Sequence, residues 1–212
     1  MFRLTERGID WWESGNTLAI QHIYPAGAIG PDSDPALLQI SRDTITAQDR
    51  WFDTNGMNSL YPAAVRVGYN SEIILAKLHE HCEHNCHPNG FMIENPHGIE
   101  TCSTVPNTIN EMLCTSHGGT IRLFWNWPRQ HDAVFYNLRQ HGAFLVSAEF
   151  AGGVVAGVEV LSEKGRICRL LNPWPGGALL MERPDGSQCT LVGEVIIFPT
   201  VQGSTYRLSQ AS

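Results

Sequence analysis

Apolar residues follow two different spacings along this chain. Up to about residue 119 they recur every three or four positions, as they do on one face of an α-helix. The pattern predicts four helical segments: "SDPALLQISRDTITAQDRW", "MNSLYPAAVRVGY", "SEIILAKLHEHCEHN" and "STVPNTINEMLCTSHGG". Pro62 lies within the second segment and indicates a kink or a later start, because proline removes a backbone donor.

The third and fourth segments carry signals for their ends. Ser71 is expected to cap the third helix, and Ser103 or Thr104 the fourth, while Gly118 suits the end of the fourth. The apolar stripe expected to be buried on the third helix consists of Ile74, Leu75, Leu78 and Cys82.

After Gly119 the apolar residues form short runs, several of them alternating with polar residues. The runs predicted to be strands are "TIRLFWNWP", "GAFLVSAEF", "VVAGVEVLSE", "RICRLLNPW", "ALLMERP", "CTLVGEVIIF" and "STYRL". Gly152-Gly153, Lys164-Gly165 and Asp185-Gly186 separate several runs at hairpin spacing. The pattern predicts an antiparallel meander that is either one layer of a sandwich or a sheet packed on helices.

The two spacings together predict an α+β fold. We expect a helical region over residues 1–122 and an antiparallel β domain over residues 123–212. No linker rich in glycine, serine or proline separates the two regions, and no internal repeat is visible.

Charge and composition narrow the classes of partner. The 212 residues carry a formal net charge of -7, without a run of basic residues, so we expect no nucleic-acid partner. No stretch is long and apolar enough to cross a bilayer, so we expect no membrane partner. The opening "MFRLTERGIDWWESG" lacks the features of a secretory signal. The six cysteines are too sparse for a disulfide scaffold and are expected to be free thiols.

The stretch "HEHCEHNCHPNG", residues 79–90, is dense in possible metal ligands. On a helix, however, these side chains divide between two faces, and the spacing matches neither a two-cysteine zinc pattern nor HExxH. We expect solvated side chains for His81 and His84, a buried Cys82, and no bound metal or other cofactor. A metalloprotein built on this stretch is the alternative.

Candidate chemistry lies just after that stretch. "GFMIENPHGIETCSTVPNTINEML" places Glu94, His97 and Glu100 within seven positions, on an irregular segment that leads into a helix. The positive end of a helix dipole favours the negative charge that a general base carries. The alternative is that Glu100 caps a helix and that Glu94 is a surface charge.

The segment "HIYPAGAIG", residues 22–30, is a second irregular stretch ahead of a helix. It presents His22 and Tyr24 in a turn rich in glycine and alanine. These side chains suit a sugar pocket, and they suit ordinary packing equally well.

Four segments in order resemble the C-terminal part of glycoside hydrolase family 95, the inverting α-L-fucosidases and their relatives. They are "HIYPAGAIG", "TNGMNSLYPAAVRVGY", "GIETCSTVPNTINEMLCTSHGGTIRLFWNWP" and "NLRQHGAFLVSAEFAGGVV". The resemblance covers residues 15–175 and is strongest over residues 98–142. It implies the C-terminal portion of an (α/α)6 barrel followed by an antiparallel β domain. Since a ring of six helical hairpins needs about twelve helices, we expect the chain to be a fragment.

The resemblance also implies roles for residues. Glu100 stands where the family has an aspartate that helps to activate water, although the glycines around that aspartate are absent here. We expect His22, Tyr24, His97 and Glu94 to bind an oligosaccharide with α-L-fucosyl or related α-L-galactosyl linkages. The family's general acid matches no residue of this chain. A secreted or periplasmic bacterial parent and self-association of the fragment are further expectations.

The alternative function is a non-catalytic carbohydrate-binding or interaction module. In that hypothesis Trp125, Trp127 and Trp174 of the β half stack on sugar rings. The competing interpretation is that these tryptophans are packed between the helices and the sheet, since large aromatic residues contribute most when buried.

Overall fold

The computed structural model describes residues 1–3, 17–52 and 57–211 and shows a mixed α+β protein. Residues 4–16 and 53–56, which belong to the predicted helical region, lie outside the described residues. The chain divides into a helical unit, Met1–Glu111, and a β unit, Met112–Ser212. In the described parts of the chain, none of the helices has the length and apolar character needed to span a membrane.

Four helices of ten or more residues lie in the described part, one in each predicted segment. The helices are α1 (Pro35–Gln48), α2 (Met57–Arg66), α3 (Ser71–His84), the four-residue α4 (Ile99–Cys102) and α5 (Thr104–Leu113). A short 3₁₀ turn over Leu18–Ile20 precedes them.

Side-chain caps fix where two of these helices begin. The Asp34 carboxylate accepts a hydrogen bond from the backbone N–H of Ala36 at 2.8 Å and starts α1. Asn70, and not Ser71, caps α3, because its side-chain oxygen accepts from the N–H groups of Glu72 and Ile73. Asp34 and Asn70 therefore set the starts of α1 and α3 by accepting backbone hydrogen bonds through their side chains.

The end of α5 differs from the prediction. The helix ends at Leu113, and Gly118 lies in a later turn with a φ of 67°. The chain leaves the helix early because Cys114–Thr115 pairs with Arg122–Leu123 as a short antiparallel ladder. The following Ile121 bridges to Leu170 of the β unit. These pairings explain why the units divide after Glu111, ahead of residue 122.

The core of the helical unit is built from its helices and one aromatic cluster. Trp51 packs edge-on against Tyr61, with ring centroids 4.9 Å apart, and lies 5.7 Å from Tyr69. Pro62 lies inside α2, next to the fully buried Tyr61. The apolar face of α2 therefore forms the centre of this unit.

The β unit contains ten described strands. In chain order they are β1 (Cys114–Thr115), β2 (Arg122–Leu123), β3 (Ala133–Gln140), β4 (Phe144–Ala151), β5 (Val154–Ser162), β6 (Cys168–Leu171), β7 (Leu179–Glu182), β8 (Gln188–Leu191), β9 (Val195–Phe198) and β10 (Ser204–Gln210). Six of them form an antiparallel sheet in the order β3-β4-β5-β10-β7-β8, whereas β6 pairs with β9 and β1 with β2.

The meander prediction is right for two hairpins and wrong for the third. Gly152 and Gly153 connect β4 to β5 with φ values of 57° and 83°, which suits a tight two-residue turn. β7 and β8 form the second hairpin. Lys164-Gly165 is not a hairpin turn, because β5 pairs with β10 and the chain after the turn enters the separate β6–β9 pair.

β3 was not among the predicted strands. Its register against β4 shifts between Phe135 and Leu138, and Asn137 has a left-handed φ of 56°. This β-bulge places an extra residue in the strand and breaks the alternation by which strands are identified.

The β6–β9 pair packs on one face of the six-stranded sheet. Phe198 of β9 lies 5.4 Å from Tyr206 of β10, measured between ring centroids. The indole N–H of Trp174 donates to the backbone carbonyl of Val155 at 2.9 Å. Alternate residues of β4 are buried on this face, starting with Phe144 and Val146. The other face of the six-stranded sheet carries the polar residues of the same strands.

Candidate functional site

One of the two irregular segments singled out in the sequence contacts the helix that follows the other. The Tyr24 hydroxyl, from residues 22–30, accepts a hydrogen bond of 2.8 Å from the side-chain amide of Asn107 on α5. Asn107 follows the segment that contains Glu100 by one helical turn and a short connection. The hydrogen bond therefore joins parts of the chain that lie 83 positions apart.

Arg66, at the end of α2, also binds both residues 22–30 and α5. Its guanidinium donates to both carboxylate oxygens of Glu111, at 2.8 and 3.4 Å, and to the carbonyl of Ile23 at 3.2 Å. It also lies 4.6 Å from the centroid of the Tyr24 ring. The Arg66 and Glu111 side chains are only 14% and 16% exposed, so this two-point ion pair is held more rigidly than a surface pair.

Arg66, Asn107 and Glu111 were not predicted. Asn107 and Glu111 are four residues apart and therefore share one face of α5, which is a visible signal in the sequence. The partner of that face lies on another helix, 45 positions from Glu111. A single sequence contains no signal for that pairing.

Glu100 lies in the first turn of α4 and is exposed. Its backbone carbonyl accepts from the N–H and hydroxyl of Ser103, at 3.3 and 2.6 Å. Its carboxylate forms no ion pair or hydrogen bond with another described residue, so Glu100 does not act as a capping side chain. Gly98 occupies the N-cap position of α4 without a side-chain hydrogen bond.

Glu94 and His97 are also exposed, on the segment between α3 and α4. Among the described residues, no hydrogen bond or ion pair links either side chain to Glu100. The backbone carbonyl of His97 accepts from the N–H of Ile99 at 3.1 Å. Their assignment to substrate binding stays a prediction.

His22 is half-buried and packs edge-on against Phe2, with ring centroids 4.3 Å apart. Burial lowers the pKa of His22, so the neutral imidazole is favoured at neutral pH. Its Nε2 atom is buried and has no hydrogen-bond partner among the described residues. The backbone carbonyl of His22 accepts from the N–H of Ala28 at 2.8 Å, which closes the turn.

The prediction for the histidine- and cysteine-rich stretch is wrong in its helical phase. His81 is buried, with 1% exposure, and Cys82 is exposed. The buried stripe runs through Ile74, Leu78 and His81, at intervals of four and three. An α-helix has 3.6 residues per turn, so neighbouring residues point in different directions. Because His81 faces the core, Cys82 faces solvent. His84 is exposed, as predicted.

The buried His81 contacts one thiol. Its Nε2 atom lies 3.1 Å from the Sγ atom of Cys86. Burial lowers the pKa of His81 and raises the pKa of Cys86, so both groups are favoured in their neutral forms. Within the described ranges, no group of three or more histidine, cysteine or acidic side chains is arranged to hold a metal ion.

The three tryptophans of the β unit differ in their surroundings. Trp174 is buried, with 5% exposure, and is therefore not available for stacking on a sugar. The indole N–H of Trp127 donates to the carbonyl of His131 at 2.8 Å. Trp125 is half-buried, with the Arg122 guanidinium 5.9 Å from its ring. Trp174 is thus buried within the β unit, and packing of the three tryptophans between helices and sheet stays a prediction.

No protein-family model matches this chain, and no curated protein matches it. The resemblance to glycoside hydrolase family 95 therefore remains a prediction from the sequence.

Proposed function

We propose that the chain is the C-terminal part of an inverting glycoside hydrolase that cleaves α-L-fucosyl or related α-L-galactosyl linkages. The observation that carries the proposal is the hydrogen bond from Asn107 to Tyr24. It joins the two segments on which the family resemblance rests most. A shared site built from both segments requires such a junction.

Glu100 is proposed to be the group that activates water. An inverting glycosidase needs a carboxylate that removes a proton from water as that water attacks the anomeric carbon. A second carboxyl group protonates the leaving oxygen, and the glycosidic bond breaks with inversion. The exposed carboxylate of Glu100, with no ion pair among the described residues, is available for the first task.

Tyr24 and Arg66 are proposed to hold residues 22–30 in place against α5. Arg66 binds the carbonyl of Ile23 and the face of the Tyr24 ring, and Glu111 fixes its guanidinium. The half-buried His22 precedes Ile23, so its position depends on the same contacts. Tyr24 and Arg66 are thus positioning residues in this proposal.

The proposal assigns the remaining helices of the barrel to a longer polypeptide. An (α/α)6 ring needs about twelve helices, and the described part of this chain has four of ten or more residues. Ile73, Ile93 and Ile99 of the helical unit are exposed by 40%, 49% and 70%. Apolar side chains of this size are expected to be covered in the complete ring.

Without those helices, the same side chains favour self-association of the chain. Ile99 lies next to Glu100, so association through this surface also covers the proposed base. The elution volume of the purified chain as a function of its concentration measures this. A monomer at every concentration contradicts this part of the proposal.

The test of activity uses the longest open reading frame that contains this chain. The expressed protein is assayed on para-nitrophenyl α-L-fucoside and α-L-galactoside, and NMR identifies the first-formed anomer. We expect the β-anomer as first product. Glu100→Gln is expected to lower kcat by roughly 100-fold or more, because the variant side chain cannot accept the proton. The melting temperature should stay nearly unchanged.

Glu83→Gln on α3 is the matched control, since Glu83 is another exposed glutamate of the helical unit. This control should keep full activity. Near-full activity of Glu100→Gln overturns the role of Glu100. A reading frame that hydrolyses neither substrate, or that supplies no further helical hairpins, overturns the proposed function.

A further inference from the structure

The outer face of the six-stranded sheet contains a shallow groove of about 400 Å³. We call it the outer groove and define it by the residues used below, which are Val134, Tyr136, Glu149, Gly157, Glu159 and Arg207. They come from four neighbouring strands, β3, β4, β5 and β10. The groove lies wholly within the β unit and contains none of the residues proposed for hydrolysis.

Strand register places these side chains on one face. Glu149 of β4 is opposite Gly157 of β5, and Glu159 of β5 is opposite Arg207 of β10. The intervening Ala148 and Val158 are buried. Because side chains alternate between the faces of a sheet, the charged residues project together away from the core.

Tyr136, beside the bulge in β3, forms an aromatic wall of the groove. Asn137 adopts a left-handed backbone conformation and donates its N–H to the Ser147 hydroxyl at 3.0 Å. Next to it, Tyr136 is 73% exposed, and Val134 is 51% exposed. Bulges re-aim side chains and recur near binding sites. An exposed tyrosine offers a flat apolar ring together with a polar hydroxyl.

The floor of the groove is open because residue 157 is a glycine. A Cβ atom added at Gly157 meets no other atom within 4 Å. The backbone there has no positive φ, so packing and conformation both permit a larger residue at this position. The missing side chain therefore leaves space beside Glu149 that the fold itself does not require.

The charged groups along the groove are carboxylates gathered around one guanidinium. The Arg207 guanidinium lies 3.3 Å from the Glu159 carboxylate and 3.7 Å from the Glu182 carboxylate. Glu149 forms no ion pair with any described residue and is exposed. Sugar hydroxyls donate and accept hydrogen bonds at once, which matches this row of carboxylates around a guanidinium.

We propose that the outer groove binds a pyranose ring of a neutral glycan. The apolar C–H face of the sugar stacks on Tyr136, and its hydroxyls bind Glu149, Glu159 and Arg207. A phosphate group is repelled by the carboxylates, and an apolar segment leaves these charges desolvated without partners. The site stands on the geometry of the β unit and does not depend on the proposed hydrolase.

The test is an NMR titration of the ¹⁵N-labelled full chain with fucosyllactose, cellohexaose and mannohexaose. At least one of them is expected to bind with a Kd of about 1 mM, as suits a shallow site. The amide shifts should concentrate at residues 134–136, 147–149, 157–159 and 207.

Two variants act on different parts of the groove. Tyr136→Ala removes the stacking wall and is expected to weaken binding about tenfold. Gly157→Val fills the floor and should abolish binding, while valine suits a strand. Ile167→Ala is the control, because Ile167 is 65% exposed in the β unit and outside the groove. Glu100→Gln should bind as the unaltered chain does, which separates this proposal from the hydrolase.

The proposal is overturned if none of the three oligosaccharides shifts these amides, or if the shifts lie elsewhere. It is also overturned if Tyr136→Ala and Gly157→Val, shown by their spectra to be folded, bind as well as the control. Hexalysine is titrated in parallel. Binding of hexalysine without binding of any glycan shows a site for cationic peptides instead.

Discussion

Asn172 of the β unit and two buried side chains of the helical unit differ in how their polar atoms are hydrogen-bonded. In the β unit, the Asn172 side chain donates to the carbonyls of Gly177 and Gly193 and accepts from the N–H of Trp174, at 2.9, 3.1 and 3.0 Å. In the helical unit, the buried atoms Tyr61 Oη and His81 Nδ1 have no hydrogen-bond partner among the described residues.

This difference has an energetic meaning. A buried polar group without a partner costs about 1–3 kcal/mol, whereas a satisfied network costs little and fixes the packing around it. The packing around Asn172 therefore gains local order, whereas the unpartnered atoms of Tyr61 and His81 lower the free energy of unfolding of the helical unit. We expect the helical unit to open first under native conditions, as peptide-level hydrogen exchange measures directly.

The largest effect is expected for Asn172→Ala in the β unit. Asn172 is only 6% exposed, and its removal leaves two carbonyls and one N–H without their partner. We expect the free energy of opening of the β unit to fall by about 2–4 kcal/mol. Hydrogen exchange at residues 172–193 measures the change. Exchange as slow as in the unaltered chain would mean that water replaces the amide at no cost.

The second-largest effect is expected from acid, which should lower the free energy of unfolding of the helical unit. Burial lowers the pKa of His81 and of His22 below the ordinary value of 6.5. A histidine with a lowered pKa binds fewer protons when folded than when unfolded, so stability is complete above pH 6.5 and falls as the pH drops below it. Hydrogen exchange at pH 7.5 and 5.5, corrected for intrinsic rates, should show faster opening of α3 at the lower pH.

His81→Asn removes the titrating group and should flatten that pH dependence. His79→Asn is the control, because His79 is exposed on the same helix. A dependence that survives in His81→Asn assigns the acid sensitivity to other groups.

The smallest effect is expected for Tyr61→Phe. This substitution removes a fully buried hydroxyl that has no partner among the described residues, while it keeps the ring that packs on Trp51. The free energy of opening of the helical unit should stay the same or rise by up to about 1 kcal/mol. A clear decrease would show that the hydroxyl is satisfied by water, and the contrast between the units would then shrink.

The sequence predicts local structure in both units well. It does not predict features that depend on contacts between residues far apart in the chain. Helical spacing locates α1 to α3 and α5, and the glycines at 152–153 and 186 locate two hairpins. The crossing from β5 to the β6–β9 pair cannot be read locally, because pairing partners lie far apart in the chain. The sequence pattern predicts the wrong buried face for α3, because histidine counts as a polar residue in that pattern although the neutral His81 is buried here.

The same contrast between local signals and long-range contacts applies to the candidate site. The segments with His22, Tyr24 and Glu100 were visible as irregular stretches beside helices. The contacts made by Arg66 and Asn107 were not visible, because each connects residues that are more than 40 positions apart. Residue chemistry thus suggested where a site lies, and packing determined which side chains share it.

The bulge in β3 also bears on how the sheet ends. β3 is an outermost strand of the six-stranded sheet, where a straight strand offers a row of unpaired backbone groups to other molecules. Asn137 interrupts that row midway, and Gln140 at its far end donates its side chain to the carbonyl of Cys114. The irregularity beside Tyr136 therefore guards this edge against strand-to-strand aggregation.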